Sequence, residues 1–209
     1  MFKILSLLLS YPRQEWLAHL AEIQAFLPAE SSSAEQLQTL FTYLRTHDEI
    51  ELQEAYVSTF DRNRSHALHL FEHLHGEDRA RGQAMVDLLN EYQNHGFEPL
   101  ENELPDYLPL FLEFLAHIDQ EEAKNYLADA VHVIAHIAGN LHKNNSPYAV
   151  VLDEVIKLSP LAPEPLQVAP VRDMDEALER FGTGFDGVEP LLRQRSEHTV
   201  QFFPQQPVE

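Results

Sequence analysis

Histidine and arginine side chains are concentrated in residues 60–82, the segment whose residue types and spacing are best suited to chemistry. Four of the twelve histidines lie there, and His66, His69 and His73 would share one face of a helix because they are three and four residues apart. Imidazoles at a spacing of four can bind zinc. The same pattern also fits a helix that places its histidines at the surface or against carboxylates, and no HExxH motif is present. The segment suggests, as an alternative function, a helical metal- or cofactor-carrying protein that uses the cluster at residues 62–81.

Four of the fourteen cationic residues occur in the same segment of a chain whose formal net charge is −20. These arginines suggest an anion site, for example for the phosphate of a nucleotide or pterin cofactor. Internal pairing is the other interpretation, and it is favoured because acidic side chains adjoin the arginines in sequence. The arginines are Arg62, Arg64, Arg79 and Arg81, and their acidic neighbours are Asp61, Glu72, Glu77 and Asp78.

An acidic stretch leads directly into the most apolar segment of the chain. Residues 97–106 carry four carboxylates, and residues 107–115 are apolar apart from Glu113. An acidic rim beside an apolar helix suits a basic amphipathic peptide, whereas the alternative is a solvated acidic loop. Glu113 needs an internal partner or a groove, because a charge inside an apolar helix is costly to bury. The candidate residues for binding a partner peptide are Glu101, Glu103, Asp106, Tyr107, Leu110, Glu113 and Phe114.

Composition and missing motifs exclude several classes of protein. The absence of cysteine excludes disulfides, thiolate metal sites and a cysteine nucleophile. The strong negative charge argues against nucleic-acid binding, which needs clustered lysine and arginine. No glycine-rich phosphate loop, GxSxG motif or Ser–His–Asp arrangement is present. We therefore expect a protein that is not an enzyme and that holds no metal or cofactor permanently.

The chain offers no segment for crossing a membrane, because no apolar run approaches the length of about 18 residues that a bilayer requires. Its apolar opening, residues 1–10, is short, has a single lysine and is followed by no small-residue cleavage site. We interpret it as a first core helix rather than a signal peptide, and we expect a cytoplasmic protein without direct membrane insertion.

Helical periodicity positions these residues. Apolar side chains recur at helical spacing in residues 85–92 and again in residues 127–141, and no run alternates in the manner of a strand. Gly96 is typical of the left-handed residue that ends a helix. Residues 107–115 are apolar on nearly every side, which predicts a central helix buried all round. The fold class is all-α, a single globular bundle around this helix.

The composition changes after Leu158. Four prolines fall within residues 160–170, a density that favours an extended linker over a packed element. We therefore predict a helical domain over residues 1–159. Residues 160–209 are predicted to form a proline-rich linker and a loosely ordered, partly disordered tail that folding does not require.

Three runs of residues resemble the nitrate reductase delta-subunit proteins, the NarJ-type family of molybdenum cofactor assembly chaperones. They are residues 59–64 (TFDRNR), 70–89 (LFEHLHGEDRARGQAMVDLL) and 103–115 (ELPDYLPLFLEFL), and the opening LLSYP of residues 8–12 is similar too. The resemblance spans residues 4–158. The residues that it marks as a family-motif cluster are Asp61, Arg62, His73, Gly76, Glu77, Arg79 and Gly82.

The resemblance implies a cytoplasmic, non-catalytic chaperone from the all-helical superfamily of molybdoenzyme chaperones. Its implied partner is the catalytic (alpha) subunit of a respiratory nitrate reductase, bound through that subunit's basic N-terminal peptide, with cofactor-insertion proteins as further partners. The chaperone would keep the apoenzyme competent for molybdenum cofactor insertion before membrane docking. Molybdenum–guanine dinucleotide would come near it only transiently, on the client.

Overall fold

The computed structural model describes residues 1–27, 32–75, 79–99 and 103–166. Within them the chain forms ten α-helices and no β-strand, which confirms the all-α prediction. The helices are α1 (Phe2–Leu9), α2 (Gln14–Leu17), α3 (Leu20–Ala25), α4 (Ser32–Thr46), α5 (Glu49–Tyr56), α6 (Leu70–His75), α7 (Arg79–Asn94), α8 (Leu108–Leu115), α9 (Gln120–Lys143) and α10 (Ala149–Leu158).

Helix α8 supplies much of the hydrophobic core, as its apolar sequence predicts. Pro109 lies in its first turn, where proline is tolerated because the amide hydrogen that it lacks would have no helical partner. Six of the eight residues are buried: Leu108, Pro109, Phe111, Leu112, Phe114 and Leu115. Leu110 and Glu113 are only half-buried, so the prediction of burial all round is wrong on one side. A carboxylate keeps its hydration when its side of the helix reaches water, and this removes the cost of burying it.

Helix α9 packs against α10 and repeats the predicted apolar spacing over its 24 residues. Asp119 begins the helix by accepting a hydrogen bond from the Glu121 amide at 2.9 Å. The buried face predicted from the sequence is confirmed at Leu127, Val131, Ile134, Ala138 and Leu141. The helix therefore forms one long wall of the core.

Gly96 ends α7 in the left-handed conformation, with a φ of 77°, as predicted. The Phe97 amide donates back to the Tyr92 carbonyl at 2.9 Å and reverses the chain. This turn places the Phe97 ring against Phe114 of α8, with ring centroids 5.8 Å apart.

A π-helical turn, Val57–Asp61, continues α5. Two backbone hydrogen bonds then join the segment before α6 to the segment before α8. The Leu108 amide donates to the Leu68 carbonyl at 2.8 Å, and the Leu70 amide donates to the Asp106 carbonyl at 3.1 Å. These bonds place the segment just before α6 beside the entry to α8.

The last described residues, 159–166, follow α10. The Glu164 amide donates to Nδ1 of His132 in α9 at 2.8 Å, and Leu166 packs against the core. Residues 160–166, the first part of the predicted tail, thus contact the helical body. The boundary at residue 159 stays a prediction, and residues 167–209 lie outside the described part of the chain.

None of the helices in the described ranges combines the length and the apolar character that a membrane-spanning segment needs.

Candidate functional site

Helices α1 and α8 lie side by side and run in opposite directions. Lys3 of α1 forms an ion pair with Glu113 of α8. Three residues further along α1, the buried Ser6 hydroxyl donates to the Pro109 carbonyl at 2.7 Å. As the residue number rises along α1, that of its neighbour in α8 falls, so the pair is antiparallel. Apolar burial holds the two helices together, since Leu5 of α1 and Leu112 of α8 have no exposed surface.

Each of these helices keeps one strip of side chains at the surface. In the segment that opens and forms α8, Tyr107, Leu110 and Glu113 are half-buried and three residues apart, which places them on one side of a helix. In α1, Lys3 is exposed and Leu7, four residues later, is half-buried. The Lys3–Glu113 pair joins the two strips at one end. We call these five residues the α1–α8 surface.

Tyr107 closes the other end of this surface through a pair of tyrosine hydroxyls. The Tyr56 hydroxyl donates its hydrogen to the Leu9 carbonyl at 2.9 Å. Because a phenol has one hydrogen, the 2.7 Å contact between Tyr56 and Tyr107 requires Tyr107 to be the donor. Burial raises the pKa of Tyr107 to about 12, so the phenol is neutral at physiological pH.

Two acidic side chains influence the ionisation of Tyr107. The negative charges of Glu103 and Asp61 both add to the raised pKa of Tyr107, so both act on this phenol electrostatically. Both carboxylates are exposed, and neither makes a hydrogen bond or ion pair with another described residue. Asp61, marked by the family resemblance, and Glu103, a predicted peptide-binding residue, thus both act on Tyr107 through their charge. This end of the surface combines aromatic area with negative charge.

Asp106 lies inside the protein, with no exposed surface. One of its carboxylate oxygens accepts from the Phe71 amide at 3.0 Å, and the other lies 3.4 Å from Nδ1 of His69. Asp106 therefore satisfies an amide at the start of α6 and fixes the segment that carries Tyr107. In this position it is a positioning residue for the surface, and it does not contribute its charge to an exposed acidic rim.

Phe114 is also turned inward, with 2% of its surface exposed. Its ring packs against Tyr92 and Tyr126, at centroid distances of 4.6 and 5.6 Å. It lies outside the exposed strip because it follows Glu113 by one residue, or about 100° of helical rotation. Glu101, the remaining predicted peptide contact, lies outside the described residues.

The predicted histidine cluster is divided among different partners. Nδ1 of the buried His66 lies 3.2 Å from the Thr59 carbonyl, and its Nε2 lies 2.8 Å from the Asn144 amide nitrogen. Nε2 of His73 donates to the Ala67 carbonyl at 2.8 Å. Burial lowers the pKa of both His66 and His73, which favours the neutral imidazoles that these bonds use.

These histidines do not share one helical face, since residues 64–66 form a 3₁₀ turn and α6 begins only at Leu70. Among the side chains that the structure describes, no three from His, Asp and Glu converge as metal ligands. The region instead joins the π-helical turn to the C-terminal half of α9.

The other family-motif residues have separate positions. Arg62 is exposed at the end of the π-helical turn, and Gly82 lies in α7, where an added Cβ would meet nothing within 4 Å outside its own helix backbone. Arg79 begins α7, and its side chain lies outside the described part of the structure. Gly76 and Glu77 lie outside it entirely. The favoured internal pairing of arginines is confirmed for Arg64, whose Nε donates to Glu72 at 3.2 Å.

Sequence reasoning missed Lys3, Leu7 and Tyr56. A signal existed for Lys3, because α1 and α8 are apolar helices that contain one charged residue each, and those charges are opposite. Tyr56 carried no comparable signal, since its role depends on where the backbone of Leu9 lies.

Comparisons with known proteins confirm the family resemblance. A family model described as nitrate reductase delta subunit matches residues 18–153. The chain is 39% identical over 204 residues to the nitrate reductase molybdenum cofactor assembly chaperone NarJ of Escherichia coli, covering 96% of this chain and 84% of that protein. It is 37% identical over 153 residues to the probable nitrate reductase molybdenum cofactor assembly chaperone NarJ of Bacillus subtilis, covering 72% of this chain and 83% of that protein. A third relative, the nitrate reductase-like protein NarX of Mycobacterium tuberculosis, is 31% identical over 144 residues, which make up 22% of its length.

Proposed function

The chain belongs to the nitrate reductase delta subunit family, and from this we propose that it is a dedicated chaperone for assembly of a respiratory nitrate reductase. It binds the basic N-terminal segment of the catalytic subunit on the α1–α8 surface. Binding keeps the apoenzyme competent for molybdenum cofactor insertion and delays its docking to the membrane. The role is not enzymatic.

The observation that carries the proposal is the half-buried strip of Tyr107, Leu110 and Glu113, which reaches the surface on one side of α8. An amphipathic helix can place apolar side chains against Leu110 and Leu7, since these two leucines are half-buried and lack full cover. Its cations meet the carboxylate of Glu113 at one end of the strip. At the other end they meet Glu103 and Asp61, whose charges act on Tyr107.

Charge and apolar contact have different parts in this proposal. The net charge of −20 attracts a basic peptide over a distance and raises the rate of encounter. Exposed ion pairs add only about 0–1 kcal/mol each, so apolar burial provides most of the affinity. A peptide with both features is therefore held more tightly than one with charge alone.

The proposed setting is the cytoplasm, where the client is completed before it reaches the membrane. Molybdenum–guanine dinucleotide is the cargo of the client, and the chaperone holds no cofactor of its own. Proteins that insert the cofactor act on the client while the chaperone covers its N-terminal segment.

The metal- or cofactor-carrying alternative has no support from the described residues. His66 lies against the Thr59 carbonyl and the Asn144 amide. His69 lies against the buried Asp106 carboxylate, and His73 bonds to the Ala67 carbonyl. Because each imidazole has a different internal partner, releasing them for one metal ion would break several hydrogen bonds.

Titration calorimetry with a synthetic peptide that copies the N-terminus of the catalytic subunit tests the proposal. We expect saturable one-to-one binding by the full chain and a loss of binding in Leu110→Glu. The matched control is Leu161→Glu, because Leu161 is 53% exposed and lies outside the α1–α8 surface. Equal binding by both variants would contradict the proposed site, and no binding by the unaltered chain would contradict the proposed function.

A further inference from the structure

We propose that Lys3 occupies, in the free chain, the place at Glu113 that an arginine of the client peptide takes in the complex. Lys3 would thus act as an internal substitute for the ligand and would be displaced when the ligand binds. This inference rests on the proposed function and specifies how the α1–α8 surface selects its cation.

The first observation is the isolation of the two charges. Lys3 is the one charged residue of α1, and Glu113 is the one charged residue of α8. Although 110 residues separate them in sequence, they form a direct ion pair across the two helices. The chain therefore places one cation and one carboxylate together on a surface that is otherwise apolar or aromatic.

The second observation is that the ion pair is open to water. The Lys3 side chain is 59% exposed and the Glu113 side chain is 44% exposed. Ion pairs this exposed contribute little to folding, because water solvates both charges well when the pair opens. Helix α1 is instead held by Leu5, Leu8 and Leu9, none of which has any exposed surface. Lys3 can therefore leave Glu113 without loosening α1 from the core.

The chemistry of the exchange favours arginine over lysine. A guanidinium can bond both oxygens of a carboxylate at once, whereas an ammonium is a single, strongly hydrated point charge. Leaving Glu113 therefore costs Lys3 little, since its ammonium regains a full hydration shell. An arginine that replaces it also brings the peptide's neighbouring apolar side chains over Leu110. Lys3 keeps Glu113 paired until such a ligand arrives.

The test compares peptide affinity among chains that differ by one charge. In Lys3→Gln, Glu113 has no internal competitor, so we expect the affinity for the arginine-containing peptide to rise by about two- to fivefold, the range that one exposed ion pair can account for. The matched control is Lys124→Gln, which makes the same change in net charge. Lys124 pairs with the exposed Glu121 on α9, outside the α1–α8 surface. We expect this control to change the affinity by much less.

Two further arms examine the competition itself. Lys3→Arg strengthens the internal pair, so it should weaken binding of the same peptide. A peptide in which glutamine replaces its arginines should bind Lys3→Gln and the unaltered chain equally. Urea unfolding of each variant shows whether the helical body is unchanged.

The results separate this inference from the function on which it rests. If the unaltered chain binds the peptide and Lys3→Gln matches Lys124→Gln or binds more weakly, Lys3 is not a competitor and the inference is overturned while the proposed function stands. If the unaltered chain does not bind the peptide, both are overturned.

Discussion

The hydroxyls of Tyr56 and Tyr107 lie 2.7 Å apart and join α5 to the segment that opens α8. Tyr56 also donates to the Leu9 carbonyl, at the end of α1. The three elements around the α1–α8 surface are therefore tied together at one point. Tyr107 donates to Tyr56, and Tyr56 donates to the Leu9 carbonyl. The Tyr56 hydroxyl therefore takes part in two hydrogen bonds and the Tyr107 hydroxyl in one.

Tyr56→Phe should destabilise the chain more than Tyr107→Phe. Removing the Tyr56 hydroxyl leaves both the Leu9 carbonyl and the Tyr107 hydroxyl without a partner, and we expect a loss of about 1–3 kcal/mol in unfolding free energy. Tyr107→Phe leaves the bond to Leu9 intact, and we expect a loss of about 0.5–1.5 kcal/mol. Urea unfolding measures both values. Equal losses would contradict the assigned donor order.

Asp106→Asn should act on stability, whereas Glu103→Gln should act on binding. Asp106 is a buried charged acceptor for the Phe71 amide, so we expect its replacement to cost about 1.5–3 kcal/mol. Glu103 is exposed, so Glu103→Gln should leave stability within about 0.5 kcal/mol. It should slow association of the basic peptide at low salt, and the difference should shrink at physiological salt, where the Debye length is about 8 Å. Stopped-flow kinetics at two salt concentrations measures the change in association rate for Glu103→Gln. An Asp106→Asn chain as stable as the unaltered chain would contradict the internal role of Asp106.

Stability should depend on pH in opposite directions through His73 and His95. Burial lowers the pKa of His73, so its contribution is complete above the ordinary histidine pKa of about 6.5 and is lost as the pH falls. The pKa of His95 is raised by its bond to the Glu91 carbonyl and then by Glu122, so its contribution is complete below that ordinary value and is lost as the pH rises through the raised one.

The measurement is the unfolding midpoint between pH 5 and pH 8. His73→Gln retains a donor for the Ala67 carbonyl without a titrating ring, so it should weaken the loss of stability on acidification. His95→Gln should instead weaken the loss on alkalinisation. Unchanged pH profiles in both variants would contradict these assignments.

A chain shortened to residues 1–166 should melt like the full chain, because we predict that the remaining residues do not support the helical domain. A chain that ends at Leu158 also loses the Glu164–His132 hydrogen bond and the Leu166 contact. We expect it to melt a few degrees lower, since about 1 kcal/mol shifts the melting temperature of a chain of this size by about 2–4 °C. Calorimetry compares the three chains, and a large loss in the 1–166 chain would show that the tail supports the fold.

Sequence patterns predicted the helices, but they predicted burial on every side of α8 and so missed the strip of side chains that reaches the surface. The spacing of three among Tyr107, Leu110 and Glu113 is a local property of the chain and could be found by inspection. The burial of Asp106 could not, because it depends on the amide of Phe71, 35 residues away in sequence. The π-helical turn that ends at Asp61 could not be predicted either, because its extra residue per turn has no clear sequence signature.

Methyl NMR of the chain during addition of the client peptide tests the central claim most directly. We predict that the methyl signals of Leu7 and Leu110 shift in a saturable, one-to-one manner, while those of Leu161 stay in place. A peptide whose apolar side chains are replaced by serine should leave all three leucines unshifted. Saturable shifts that spare Leu7 and Leu110, or equal shifts with the serine peptide, would contradict binding on the α1–α8 surface.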